Sequence, residues 1–354
     1  MQKDFSEAMT DIGRSEQMEK KPSDGAVPDS RRPSGSRALA VFKYAAAAGI
    51  LLWLYHVGLI DFAPVTFLVH KPVLLLALIF MTWLTFPLCA LRWQMLLRSQ
   101  AIDMTGRDIY RVVYLGAFAG LFLPGMVGGD IIRTVLGKRT STAGTATIAM
   151  TVVMDRLLGI CALLMLGVVS SFFLFSTSPG LARMSRLPTH LLTLASLAVL
   201  LLAVLYWIVH WFSVRPAASG NARRDSLSSL RNALKPDAFK RLGTTTMIVA
   251  LALSLVIQGK DLFILFLIAQ ATGFGELGLL ANFTAGIASF LAQIVPLTPG
   301  GLGVGEAVYG QTANLLLSDG APSSYGSVML AFRVLSVLSV LPSVFLLPRS
   351  TSGG

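Results

Sequence analysis

Pro296-Leu297-Thr298-Pro299-Gly300-Gly301-Leu302-Gly303-Val304-Gly305-Glu306 lies between two apolar runs and is poorly suited to continue a helix through either of them. Its two prolines and four glycines all work against a helix. Proline lacks the amide N–H and clashes with the preceding turn, and glycine is entropically costly to fix. Inside a bilayer, interrupted backbone persists only where protein buries it or where it lines a watery cavity. An earlier stretch, Leu123-Pro124-Gly125-Met126-Val127-Gly128-Gly129-Asp130, repeats the pattern. Both contain Pro-Gly-x-x-Gly and both end on a carboxylate. The pair predicts an all-α polytopic membrane protein in which two broken helices face one central site.

Composition supports the membrane reading. Of the 354 residues, 54% are hydrophobic and 13% charged, against about 25% charged in soluble domains. Mean hydropathy is +0.69. The net charge of +11 falls mostly in short loops between apolar runs, which is the signature of membrane topology and not of a nucleic-acid-binding face. No nucleic-acid partner is therefore expected. Cys89 and Cys161 sit within apolar runs and read as small packing residues. His56, His70, His190 and His210 are scattered near the ends of such runs. With no metal-binding, nucleotide or hydrolase motif in the chain, no metal, no cofactor and no enzymatic chemistry is expected.

Residues 1–38 are polar and rich in Ser and Pro, and read as a disordered tail. The first span is Leu39 to Ile60, whose length of about 33 Å covers a hydrocarbon core. Further spans are expected at 72–93, 145–175, 188–212, 244–270 and 325–347, followed by a short tail at 348–354. The segment 109–123 runs into the first Pro-Gly motif and turns back, and 280–317 does the same around the second. With the N-terminal tail in the cytoplasm, the basic loops at 92–111, 131–143 and 213–243 and the C-terminus all fall on that side. The outer links hold only Lys71, Arg183 and Arg186. Six full spans and two re-entrant hairpins result.

The halves 39–175 and 188–347 share the order span, span, hairpin, span. Three full spans per half invert the second relative to the first, the layout of secondary transporters that build a site near the midplane. Deep residues match in spacing: 26 positions separate Asp130 from Arg156, and 27 separate Glu306 from Arg333.

Ionisable groups at bilayer depth cost several kcal/mol each and face a cavity or a partner. Here they are Asp130, Arg133, Asp155, Arg156, Lys260, Asp261, Glu306 and Arg333. One reading makes them ion pairs that join helices; the other makes them a binding site. For Asp155-Arg156 and Lys260-Asp261 both stay open, and adjacent helical residues are expected to find partners elsewhere. For Glu306 and Arg333 the sequence favours function. Arginines offer planar forks to phosphate, and free N–H groups at half-helix starts favour anions. Gly125, Gly128, Gly129, Gly300, Gly301 and Gly303 would let a ligand approach the backbone closely, although small residues also serve tight helix packing. Carboxylates can answer a cationic group, couple a proton or hold the arginines.

Four segments carry a family resemblance: Pro124-Gly-x-x-Gly-Gly-Asp130-x-x-Arg133, Asp155-Arg156-x-x-Gly159, Pro296-x-x-Pro299-Gly-Gly-x-Gly303-x-x-Glu306 and the late Arg333. Together they resemble the transmembrane flippase-like domain of bacterial lysylphosphatidylglycerol synthases over about 39–347. The resemblance implies translocation of a lipid, often one with a modified phosphate headgroup, in the inner membrane. Only seven residues follow Leu347, so the soluble aminoacyl-transferase domain is expected to be absent, and the resemblance to stand-alone members implies other lipids as well, including polyprenyl-phosphate or hopanoid-type substrates. The resulting expectation is a lipid translocase that binds its substrate through Asp130, Arg133, Asp155, Arg156, Glu306 and Arg333. Arg133, Arg156 and Arg333 would neutralise the phosphate. An ion-coupled small-solute transporter is one alternative. Another is a membrane scaffold that docks a lipid-modifying enzyme on the basic 213–243 loop.

Overall fold

In the computed structural model, residues 60–122, 127–177, 244–294, 298–317 and 324–346 are described, together with 49, 51, 52, 55 and 56. Over these residues the chain is all-helical, with no strand. Nearly all of the expected first span, and all of the fourth, lie outside the described residues. So do the N-terminal tail, the basic 213–243 loop and 348–354.

A short helix, α1 (Ala63–Val69), precedes α2 (Pro72–Trp83) and α3 (Thr85–Ser99). These last two form one apolar span of 28 residues, Pro72–Ser99. Pro87 explains the break at Leu84, because its ring displaces the carbonyl four residues earlier and it has no N–H to offer. The span runs past the expected end at Trp93, so Arg92 and Arg98 belong to helix and not to a loop. The next pair is α4 (Gly106–Phe122) and α5 (Val127–Arg139). Then come the long α6 (Thr145–Thr177) and α7 (Thr244–Ala271). A second pair, α8 (Gly278–Ala292) and α9 (Val304–Leu316), is followed by α10 (Gly326–Val340). Four of the expected spans are thus present as long apolar helices, at Pro72–Ser99, Thr145–Leu174, Thr245–Ala271 and Gly326–Leu346. The first arm of the second hairpin, with its preceding turn, is itself long and apolar enough to cross, at Gly275–Ala292.

Both broken motifs form helical hairpins. In the first, Gly116 lies against Arg133 and Gly120 against Gly129, the register of antiparallel neighbours. In the second, Asn282 Nδ2 donates to Tyr309 Oη at 2.8 Å and Ser289 Oγ to the Gly305 carbonyl at 2.8 Å. The returning arms, α5 and α9, have 13 residues each. That is about 20 Å of helix, short of a hydrocarbon core of about 30 Å.

Helix α10 shows how the hairpins are disposed. At its start, Ser327 Oγ accepts the Asp61 N–H, and Tyr325 packs on Phe274, just ahead of α8, with ring centroids 5.1 Å apart. At its far end, Arg111 in the early part of α4 donates to the Leu346 carbonyl at 2.9 Å. The two hairpins therefore open toward opposite ends of α10.

The larger core joins Leu262, Leu265 and Ile268 of α7 to Ala285 of α8, Tyr309 of α9 and Val328 and Leu335 of α10. A second core places Trp93 and Leu97 of α3 against Ile109 and Val113 of α4 and Ile148 of α6. Large apolar side chains such as Val73, Leu76, Phe80, Phe172 and Ile248 point outward along the spans, the surface a bilayer covers. Because lipid is as apolar as leucine, close approach and interhelical hydrogen bonds hold such helices together.

Gly129 illustrates the close approach. A Cβ there would come within 2.6 Å of the Gly116 carbonyl oxygen, a backbone atom, whereas at Gly120 the nearest atom would be 3.8 Å away. Gly129→Ala should destabilise the protein by about 1–3 kcal/mol through overpacking, and Gly120→Ala should be neutral or slightly stabilising. Thermal unfolding in detergent checks this, with a clear drop in midpoint for the first variant only.

Candidate functional site

Residues at the inner ends of both hairpins, Leu121 and Asp130 in the first and Gln293 and Gly300 in the second, border one cavity of about 540 Å³. Its polar wall is made by Arg92 of α3, Asp130 of α5, Asp155 and Arg156 of α6, Gln258 and Asp261 of α7, Gln293 at the end of α8 and Gly300. Leu121, Ile160, Leu163, Ile257, Phe290 and Phe332 give it an apolar side.

The polar wall is anchored by Asp155, whose side chain is 1% exposed. Its Oδ1 accepts Arg92 Nε at 2.7 Å and its Oδ2 accepts Arg133 Nη1 at 3.0 Å. Arg92 Nη1 also donates to Ser254 Oγ of α7 at 2.8 Å. The Arg133 guanidinium lies over the Trp93 ring, 4.7 Å from its centroid, and Trp93 in turn donates to Thr151 Oγ1 at 3.0 Å. The neighbouring residue Arg156 turns the other way. Its Nε is shared between the two Asp130 oxygens, at 3.0 and 2.9 Å. Adjacent helical positions thus find separate partners, as their geometry requires.

Three guanidiniums here face two carboxylates, which leaves one positive charge. Arg156 is where that charge is accessible. Its side chain is 41% exposed, while those of Arg92 and Arg133 are 7% and 6% exposed.

The second tip is a loop held by one arginine. Gly300, Gly301 and Gly303 have φ of +59°, +72° and +81°, the left-handed region that side chains with a Cβ rarely adopt. Glu306 is fully buried. Its Oε2 accepts the Gly303 N–H at 2.8 Å, in the manner of the carboxylate half of a capping box at the start of α9. Its Oε1 accepts Arg333 Nε at 2.6 Å. Arg333 Nη1 donates to the Gly300 carbonyl at 2.6 Å, and Nη2 donates to Gln293 Oε1 at 3.0 Å and to the Gly301 carbonyl at 3.1 Å. Every nitrogen of Arg333 is therefore engaged within the protein.

Of the side chains expected to bind, Asp130, Asp155 and Arg156 line the cavity, whereas Arg133, Glu306 and Arg333 lie behind its wall. Of the three arginines expected to meet a ligand, Arg156 lines the cavity and Arg133 and Arg333 do not. Arg333 and Glu306 fasten the loop. Gly128 and Gly129 are buried in α5, and Gly129 packs on α4, which is the plainer of the two roles open to it. Pro124, Gly125 and Pro296 lie outside the described residues. Pro299 opens the Pro299–Gly301 turn. Lys260 and Asp261 pair with each other and with Thr85, against the expectation of partners elsewhere. Arg92, Gln258 and Gln293 went unselected by sequence. Glutamines within apolar spans were a usable signal, and Arg92 was hidden by ending its span too early.

These features define a multi-pass helical membrane protein with a charged cavity between two broken-helix hairpins. The family described as the lysylphosphatidylglycerol synthase TM region matches residues 39–343, and the chain belongs to it. Comparison with curated proteins and with solved structures finds no match.

Asp155→Ala leaves two buried guanidiniums without their carboxylate and should cost about 3–5 kcal/mol. Arg156→Ala removes an accessible charge and should cost less than about 1 kcal/mol. Denaturant or thermal unfolding of both purified variants in detergent provides the comparison.

Proposed function

We propose that this chain moves a phosphate-bearing lipid between membrane leaflets, with the headgroup in the cavity at Arg156. The observation that supports this most is the pairing of an accessible guanidinium on a polar wall with an apolar wall of Ile160, Leu163, Phe290 and Phe332 in one cavity. A phosphate headgroup with its acyl chains needs both surfaces. A water-soluble solute has no use for the second.

In this reading Asp130 holds Arg156 by its Nε, so that the Nη groups address the phosphate. Asp155, Arg92 and Arg133 fix α3, α5 and α6 beneath it. Arg333 and Glu306 keep the second tip shaped so that Gly300 borders the cavity. No covalent step is assigned to the site. The opposed hairpins support an inverted repeat, whose halves would rock about the site to expose it to each leaflet in turn.

Orientation follows from charge. Exposed Arg98, Arg107, Lys138 and Arg139 gather at the open end of the α4–α5 hairpin, and the positive-inside rule assigns that end to the cytoplasm. The Arg111–Leu346 bond brings the end of α10 to the same side. We take the membrane to be a bacterial inner membrane, as for the synthases this domain is known from.

Proteoliposomes holding labelled phosphatidylglycerol, its lysyl ester, a polyprenyl phosphate or a neutral lipid test the reading. At least one phosphate lipid should cross faster than in empty vesicles, and the neutral lipid should not. Arg156→Ala should slow that movement about 10- to 100-fold, the worth of a charged hydrogen bond. Equal rates for wild type and variant, or no movement of any phosphate lipid by folded protein, would overturn it.

A further inference from the structure

The carboxylates at membrane depth are not equivalent. Asp155 gives one oxygen to each of two arginines. Both Asp130 oxygens share Arg156 Nε. Glu306 gives one oxygen to Arg333 and the other to a backbone N–H. Each is tied to a guanidinium, which does not release its proton, and each has both oxygens engaged.

Asp261 differs on each count. Its Oδ1 takes Lys260 Nζ and Thr85 Oγ1, and among the described residues its Oδ2 accepts no hydrogen bond. Asp261 lines the cavity. Its cationic partner is an ammonium, which unlike guanidinium can give up a proton when its surroundings change. Lys260 Nζ also donates to Thr85 Oγ1 at 2.7 Å, so the hydroxyl joins the two charged groups. The pair lies near the middle of the span Thr245–Ala271, with both side chains largely buried. Ion pairs retained at that depth at a cost of several kcal/mol mark ion and proton pathways.

Among the described residues the surroundings contain no second group of this kind. Around the cavity the remaining charged and titratable groups are Cys89 and Arg92 on α3, Asp130 on α5, and Asp155 and Arg156 on α6. Helices α2 and α8 have no ionisable side chain. Arg333 of α10 is bound to Glu306, and Glu276 stands in the turn beyond the far end of α7.

We propose that Asp261, paired with Lys260, is a proton-exchange site that couples lipid movement to a transmembrane proton gradient. A proton entering from one face of the cavity binds Oδ2, neutralises the carboxylate and loosens its hold on Lys260. After the cavity turns to the other face, the same proton leaves and the pair re-forms. One proton crosses per cycle and no other bond changes. This rests on the lipid-translocase reading and adds its driving force.

Two measurements separate the inference from the reading beneath it. In proteoliposomes with an imposed pH difference, wild type should accumulate the phosphate lipid in one leaflet, up to about tenfold per pH unit for one proton per lipid. Lys260→Gln/Asp261→Asn, which removes both charges together and leaves no unpaired ion, should let the lipid equilibrate and abolish accumulation. Lipid movement that ignores the pH difference would sink the inference and leave the translocase reading standing.

The second measurement needs no transport. Infrared difference titration of the purified protein in nanodiscs should show, beside the protonated-carboxyl signal of the other acids among the 18 Asp and Glu residues, one component that grows as pH falls and is lost from the double variant and from Asp261→Asn. A band unchanged in both variants would overturn the assignment even if no lipid moved.

Discussion

Asp155 ties the first half of the described structure together. A carboxylate taken from water into a protein interior loses several kcal/mol of solvation, and an arginine beside it loses a similar amount. The loss is recovered only if both oxygens find donors in good geometry. Here they do, from α3 through Arg92 and from α5 through Arg133, while Arg92 reaches on to Ser254 of α7. Four helices thus meet at one ion. In a bilayer, where burying apolar surface gives helices no reason to associate, such a node and the glycine contacts of Gly116 with Gly129 set the geometry. The position of Arg156, and with it the accessible charge of the cavity, follows from this anchoring because it is the next residue on α6.

The second half uses the same chemistry on backbone. Glu306 and Arg333 stabilise a loop whose glycines have no side chains with which to hold themselves. Arg333 donates to two loop carbonyls, to Gln293 and to Glu306, so one side chain satisfies two of the carbonyls that the broken helix leaves free. The carboxylate then caps the helix that restarts. A broken helix inside a membrane requires such an arrangement, since each unsatisfied backbone group at that depth costs several kcal/mol.

The two motifs could be read from sequence because proline and left-handed glycine leave few alternatives. The class of fold followed from them and from apolar run lengths. What each charged residue does was far less legible. Spacing said that Glu306 and Arg333 are 27 positions apart, but not that the buried glutamate gives one oxygen to the Gly303 N–H and the other to Arg333. Arg92 was assigned to a loop because the charge itself was taken as the end of a span. The span in fact continues to Ser99, bent by Pro87. Lys260 and Asp261, adjacent on one helix, were expected to diverge. Lysine is long and flexible enough to fold back on its neighbour, a freedom that Arg156 does not use because Asp130 lies within reach on α5.

The contrast between these pairs gives the cavity its division of labour. Where a carboxylate meets guanidinium, both of its oxygens are bound and the contact acts as a structural part. Where it meets ammonium and a hydroxyl through one oxygen and leaves the other without a hydrogen bond among the described residues, the proposed cycle lets a single proton cancel the charge. A site built wholly of the first kind would bind an anion and hold it equally well from either side. A site built wholly of the second would lose its shape whenever it was protonated. In the proposed cycle, placing the guanidinium pairs on α3, α5 and α6 and the exchangeable pair on α7 lets the framework keep its contacts while one element of the wall changes charge. That arrangement suits movement driven by a proton gradient, whereas downhill movement needs the fixed pairs alone.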